Sequence, residues 1–166
     1  MTSMRRLPGL APLLLATAAM ATNPSPVGEQ DTARVVRLTA ALEAAPQGAD
    51  AAESRRWLMT WVQQTSDYSV SVCDILGPIP GTGVPNGPAL LGQYIFGNVA
   101  YQIRQGPGTD ALSRQVAGVQ SLLRAYARLV ADDPSARIPH MDDLLAAEDK
   151  GALRARLAPQ VAQACR

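Results

Sequence analysis

Between Asp110 and Ala131 the apolar residues Leu112, Val116, Val119, Leu122, Leu123, Tyr126, Leu129 and Val130 recur every three or four positions. Side chains at that spacing share one face of an α-helix, so this stretch commits the chain to a long amphipathic helix with a broad buried stripe. A helix of that kind needs partners of matching period, and the remaining sequence supplies them. No segment alternates apolar and polar residues convincingly enough to build a sheet. The nearest is DYSVSVCDIL (Asp67–Leu76), where Tyr68, Val70 and Val72 alternate with Ser69 and Ser71. A lone strand leaves its backbone groups without partners, so a short helix or an extended connector is expected there.

Glycine and proline punctuate the other helices. Asp31 or Thr32 caps a first helix marked by Val35, Leu38 and Leu42 and ended by Pro46 and Gly48. A second starts at Asp50 and runs to about Gln64, with Trp57, Leu58, Trp61 and Val62 on its apolar face. Pro88 opens a third, at the helical position proline favours, and Gly106-Pro107-Gly108 ends it after Gln105. The striped fourth helix starts at Thr109 or Asp110 and stops before Asp133-Pro134-Ser135. A fifth runs from Pro139 to Lys150-Gly151 with Met141, Leu144 and Leu145 turned inward. The last covers Ala152 to Ala164 and is kinked or restarted by Pro159. The expected fold is all-α, a single domain built as an irregular bundle of five to six helices.

Within this frame several residues carry packing expectations. Trp57 and Trp61 are expected as the largest pieces of core, the wall of a ligand groove being the alternative. Gly92 and Gly97 inside the third helix each cost about 1 kcal/mol relative to alanine, which implies close approach by another helix. Gln93, Asn98 and Gln102 of the same helix are neutral and do no acid–base work.

The N-terminus reads as an export signal over residues 1–21. Arg5 and Arg6 precede an apolar run from Leu10 to Ala19, and Ala19-Met20-Ala21 offers a small-x-small cleavage pattern. That run is shorter than the roughly 20 residues a membrane span needs. Pro8 and Pro12 argue against a buried helix there. Cleavage is expected after Ala21, leaving a flexible polar leader over residues 22–30, TNPSPVGEQ, and a helical domain over residues 31–166. Without Arg5 and Arg6 the 15 basic residues become 13 against 14 acidic ones, a balance with no footprint for nucleic acid. Lys150 is the only lysine and every other basic residue is arginine, a bias of GC-rich bacterial coding. The expected location is periplasmic or secreted, with no stable membrane span after signal removal.

Cys73 and Cys165 are the only cysteines. An even pair in an exported protein reads first as a disulfide, with two free buried thiols or reactive cysteines as alternatives. A thiol enzyme needs a base beside its cysteine, and the one histidine, His140, lies in IPHMDDLL beside Asp142 and Asp143. Those carboxylates are expected in the first turn of a short helix, where the dipole favours them, and His140 at the surface. Asp31, Asp50, Asp110, Asp132 and Asp133 likewise fall at helix starts and turns, where capping predicts them. No metal site or cofactor is expected from these residues.

The loop GPIPGTGVPNGP carries Pro78, Pro80, Pro85 and Pro88, each lacking the N–H that a phosphate cradle requires, and no Lys-Ser or Lys-Thr pair follows. It reads as a semi-rigid connector, or as a binding loop.

Ser121–Arg137, SLLRAYARLVADDPSAR, resembles the second helix of a tetratricopeptide repeat. Leu122, Tyr126, Leu129 and Pro134 stand at that motif's small, aromatic, small and proline positions, with leucine in place of both small residues. LLGQYI is similar to the first helix through Leu91 and Gly92. The likeness implies an antiparallel helix pair; the further repeats an array needs are absent. More broadly, Trp57 to Leu157 resembles small secreted bacterial helical proteins of unassigned function, through SVSVCDIL, GQYIFGNVAYQI and LLRAYARLVADDPSARIPHMDDLLAAEDKGAL. The helix layout with its terminal cysteine is also similar to that of the periplasmic amidase-immunity proteins of type VI secretion. The fuller cysteine pattern of those proteins is missing, and the likeness assigns no site residues.

These observations lead to a small exported helical protein that acts by binding another envelope or secreted protein. The expected surface is the Gly/Pro loop and the helix start beyond it, with Ile79, Val84, Asn86, Leu90 and Tyr94 as its residues. The alternatives are a small periplasmic hydrolase using carboxylates or His140, and a structural envelope component.

Overall fold

A computed structural model of the chain describes residues 27–106 and 108–165. Among them the backbone forms six α-helices and no strand: α1 (Val27–Ala44), α2 (Ala51–Gln64), α3 (Gly87–Gln105), α4 (Ala111–Asp132), α5 (Pro139–Asp149) and α6 (Leu153–Ala164). One 3₁₀ turn, Pro134–Ala136, links α4 to α5. The bundle is irregular and forms one domain, as the periodicity predicts. Helix α1 opens at Val27, so residues 27–30, expected in the flexible leader, are helical. They contain no proline, and nothing in their backbone stops the helix from extending back past Asp31. The expected signal over residues 1–21 and the rest of the leader lie outside the described residues.

The centre of the bundle is the antiparallel pair α3 and α4. Gln93 meets Ser121 while Gly97 faces Ala117 and Ser121, so the two helices run in opposite directions through their crossing. A Cβ on Gly97 would collide with the Ser121 side chain. On the facing helix, a Cβ on Gly118 would lie 2.8 Å from the Tyr94 ring and from its carbonyl oxygen. Each helix thus gives up one side chain where the other presses closest. Gly92 differs from the expectation: a Cβ there would meet only the Phe96 ring of its own helix, at 3.4 Å.

Two apolar clusters flank this pair. The larger joins α3 and α4 to α5, α6 and the segment around Ile75, Leu76 and Ile79, with Tyr94, Tyr126, Met141 and Leu157 inside it. The smaller joins α1 and α2 to α3 through Val35, Leu42, Leu58, Phe96 and Val99. The largest fully buried side chains are Tyr94, Tyr126 and Phe96, not the tryptophans. Trp57 and Trp61 are half-buried at the rim of the smaller cluster. The Arg34 guanidinium covers the Trp57 ring at 4.1 Å, and Trp61 packs against Tyr68 with ring centroids 5.9 Å apart.

Polar groups cross the interior in a connected set. Gln93 donates from Nε2 to the Thr39 carbonyl (3.2 Å) and to Ser121 Oγ (2.8 Å). Ser121 donates in turn to Glu43 (2.6 Å), whose carboxylate also receives two bonds from Arg124 at 2.7 Å. The Glu43 carboxylate raises the Arg124 pKa. This chain of contacts fixes α1 against the α3–α4 pair.

Residues 68–73 form an extended connector, which breaks into turns from Asp74 to Leu76. It lacks a neighbouring strand, and side-chain amides stand in for one. Gln102 Nε2 donates to the Ser69 carbonyl (3.0 Å), and Gln115 Nε2 donates to the Ser71 carbonyl (2.9 Å). The Tyr94 hydroxyl donates to Gln115 Oε1 and lies 3.2 Å from the same Ser71 carbonyl.

Two predictions follow from this packing. Gly97→Ala should lower the unfolding free energy by about 1–3 kcal/mol, seen as a reduced urea midpoint. Gly92→Ala should be neutral or stabilising, because helix propensity gains about 1 kcal/mol and the new methyl group finds room. Equal midpoints for the two variants would show that the crossing is not set at Gly97.

Burial pushes the Tyr94 phenol up to about 12. Because the folded-state value lies above the ordinary one, Tyr94 contributes stability that is whole below a pH of about 10 and is lost as pH rises towards 12. Denaturant midpoints should therefore fall over that window. The fall should be smaller in Tyr94→Phe, which has no phenol to ionise; identical pH profiles would refute the assignment.

Candidate binding face at the disulfide end

The disulfide joins Cys73, at the end of the extended connector, to Cys165, just past α6, with Cα atoms 5.3 Å apart. The two residues are 92 positions apart in sequence. The two cysteines thus stand at disulfide distance, the pairing expected first. Gln115 Nε2 also reaches Cys73 Sγ, at 3.3 Å. The half-cystine is thereby held to α4 as well as to the C-terminal helix.

Beyond Cys73 the chain enters the Gly/Pro loop through Ile75 and Leu76, both buried. The loop is a series of closed turns. Gly81 N–H donates to the Pro78 carbonyl (2.8 Å), and Gly87 N–H donates to the Val84 carbonyl (3.0 Å). A Cβ on Gly81 would sit 2.9 Å from the Pro78 carbonyl oxygen, and one on Gly87 would sit 3.1 Å from that of Ile79. Asn86 takes the left-handed conformation (φ 55°) at the N-cap of α3, and its Oδ1 accepts a 3.3 Å bond from Gln47.

The residues expected to form a binding surface divide into two groups. Ile79, Leu90 and Tyr94 are in the core, each 2% exposed or less, and they offer nothing to a partner. Their apolar character, which singled them out in the sequence, is what takes them inside. Val84 and Asn86 are half-buried on the loop. The residues that project are Pro78, Pro80, Thr82 and Pro85. Ile79 is the plug that anchors the loop, and the prolines and Thr82 form its outer edge.

Beside the loop lies an open cleft of about 560 Å³ between the 74–77 segment, the start of α5 and the end of α6. Its walls include Asp74, Gly77, His140, Gln160 and Gln163. Gly77 has φ +59°, and a Cβ there would come within 2.7 Å of the His140 ring. Both the backbone conformation and the imidazole therefore require glycine. His140, expected at the surface, is half-buried, with Nε2 3.4 Å from the Ile75 carbonyl. Gln160 Oε1 is buried and accepts no hydrogen bond. The recorded neighbours of His140 are the Ile75 carbonyl and Gly77, and Cys73 is paired with Cys165.

The other groups a hydrolase would draw on point elsewhere. Asp142 accepts from the Tyr126 hydroxyl (2.7 Å) and from Arg137 (3.2 Å), while Asp143 faces Arg156 at 3.8 Å. Asp110 and Asp133 act as caps, and hydrogen bonds from Ser113 and Ser135 hold their carboxyl groups below the ordinary range. Asp50 stands at the N-cap of α2 without a side-chain capping bond. No cluster of three or more metal-ligating side chains occurs among the described residues. None of their helices is long and apolar enough to cross a membrane.

Sequence reasoning placed the disulfide and the loop but missed the cleft. Its walls come from three segments more than sixty positions apart in sequence at their first junction, Gly77 with His140. No local pattern records that contact. No protein-family model, curated protein or solved structure matches the chain.

Opening the disulfide frees α6 from the connector. In the chain-entropy description a loop of this length is worth about 4–5 kcal/mol. The Cys73→Ser, Cys165→Ser variant should unfold at a correspondingly lower urea concentration. A midpoint unchanged from that of the oxidised protein would show that the crosslink contributes nothing to the folded state.

Proposed function

We propose that this chain is an exported helical binding protein that engages another envelope or secreted protein through the loop edge and the adjoining cleft. The observation that carries the reading is the build of the loop. Pro78, Pro80, Thr82 and Pro85 project from turns that are already closed, on a segment anchored by Ile79. A surface ordered before contact loses little conformational freedom on binding, so more of the contact energy appears as affinity. The cleft beside it supplies polar side chains, among them Asp74, His140 and Gln163.

Export is supported by the signal-like residues 1–21 and by the disulfide, because such bonds persist in oxidising compartments. A hydrolase is the weaker reading. Asp142 and Asp143 are taken up by Tyr126, Arg137 and Arg156, and His140 meets a backbone carbonyl in place of a nucleophile.

The test is capture of the tagged protein with its partners from its own cell envelope, beside a Thr82→Glu, Pro85→Glu variant. Both positions are exposed, so the variant should keep the parental melting temperature. One stoichiometric partner, retained by the parent and lost by the variant, is the expected result. A partner held equally by both would move the binding surface off the loop. The absence of any stoichiometric partner would overturn the reading itself.

A further inference from the structure

We propose that a second cavity, at the other end of the extended connector, binds a small zwitterion: an amino acid or short peptide with a free carboxylate and a free ammonium group. The cavity measures about 460 Å³ and lies between residues 67–69, the end of α3 and the start of α4. That volume falls within the ~300–1,000 Å³ typical of small-molecule sites.

Three lining residues carry the inference. Arg114 is one of two half-buried arginines among the described residues. The other, Arg55, donates to the Pro46 carbonyl at 2.7 Å. The Arg114 guanidinium has no hydrogen bond or ion pair among the described residues. A guanidinium has five donors in a fork that fits a carboxylate, and a partly desolvated one without partners is the anchor such a ligand needs.

Gln102 is the second. It is 7% exposed, and its Nε2 is already committed to the Ser69 carbonyl (3.0 Å) and Asn98 Oδ1 (2.8 Å). Its Oε1 receives no hydrogen bond among the described residues and is open to solvent, so it is free to accept from a ligand in the cavity that Gln102 helps to line. The third is Asp67. It is exposed, and its carboxylate has one weak contact within the chain, a 3.5 Å bond from Ser66 Oγ.

One cavity thus presents a half-buried cation without a partner in the described chain, a neutral acceptor in its wall and an exposed anion at its edge. A multivalent anion such as phosphate would be repelled by Asp67, and a simple amine by Arg114. A ligand carrying both charges meets each with its opposite: carboxylate to Arg114, ammonium to Asp67 and Gln102 Oε1. Tyr68 closes one side, its ring fixed against Trp61. Gly106 and Gly108, at φ +80° and +93°, line the cavity and place no side chain of their own in it.

The experiment is a titration of the full disulfide-bonded chain, ¹⁵N-labelled, with glycylglycine and, separately, with acetate and ethylamine. Glycylglycine at millimolar concentration should give saturable shifts at the amides of Ser69, Gly106 and Gly108, and acetate alone should bind more weakly. Arg114→Gln should weaken glycylglycine binding by about tenfold or more, while Arg128→Gln, on an exposed face of α4, leaves it unchanged. Asp67→Asn should bring glycylglycine down to the level of acetate. Absence of saturable shifts with glycylglycine would overturn the proposal. So would unchanged affinity in Arg114→Gln, or acetate binding as tightly as the dipeptide.

Discussion

The closest approach of α3 to α4, where Gly97 admits Ser121 and Gly118 admits Tyr94, is the contact on which the other elements depend. With the backbones this close, Ser121 falls within reach of both Gln93 and Glu43, and α1 is tied to the pair by hydrogen bonds as well as by apolar contact. Tyr94, pressed against Gly118, is directed towards Gln115 and the Ser71 carbonyl, so the same crossing holds the extended connector. A side chain at either glycine would separate the helices and loosen both attachments. The two glycines reduce helix propensity locally; the contacts they permit offset that loss.

The connector shows how an all-helical protein can keep an extended segment. Its Ser69 and Ser71 carbonyls would be unpaired without a second strand, and Gln102 and Gln115 supply the donors from two helices. This exchanges a ladder for two point attachments two residues apart, with the disulfide at Cys73 as a third. The Asp67–Ser69 end forms one wall of the zwitterion cavity, and the Asp74–Gly77 end forms one wall of the loop-side cleft.

Much of the fold was legible because helices declare themselves locally. The Leu112–Val130 stripe, the Asp110 cap and the breaks at Gly106 and Pro134 located α4 to within a residue or two of its observed bounds, Ala111–Asp132. Gly97 was also readable, since a glycine inside a helix needs a reason. Gly118 carries the same signal within α4 and was overshadowed by the apolar stripe around it. The site was less legible. Apolar character marked Ile79, Leu90 and Tyr94 as a surface, yet apolar character at helical and loop-anchor positions is first a signal of burial. Trp57 and Trp61 failed in the opposite sense: α2 packs at the edge of the bundle, where its wide ring systems have one face against the core and the other towards Arg34 and Tyr68.

Burial also separates what the polar residues of this chain do. Gln93 and Gln102 looked inert in sequence because they cannot ionise, yet inside the bundle neutrality is their use, as it is for Gln115. A neutral amide can cross an apolar interior at lower desolvation cost than a charge, and it brings donor and acceptor together on one side chain. Gln93 and Gln115 spend that capacity on the fold, with bonds to Ser121, Thr39, Ser71 and Tyr94. Gln102 spends only its donor side, on Ser69 and Asn98. An amide that anchors the backbone with its nitrogen keeps its oxygen in a fixed place, and a fixed acceptor beside a half-buried guanidinium distinguishes a ligand site from a gap in packing.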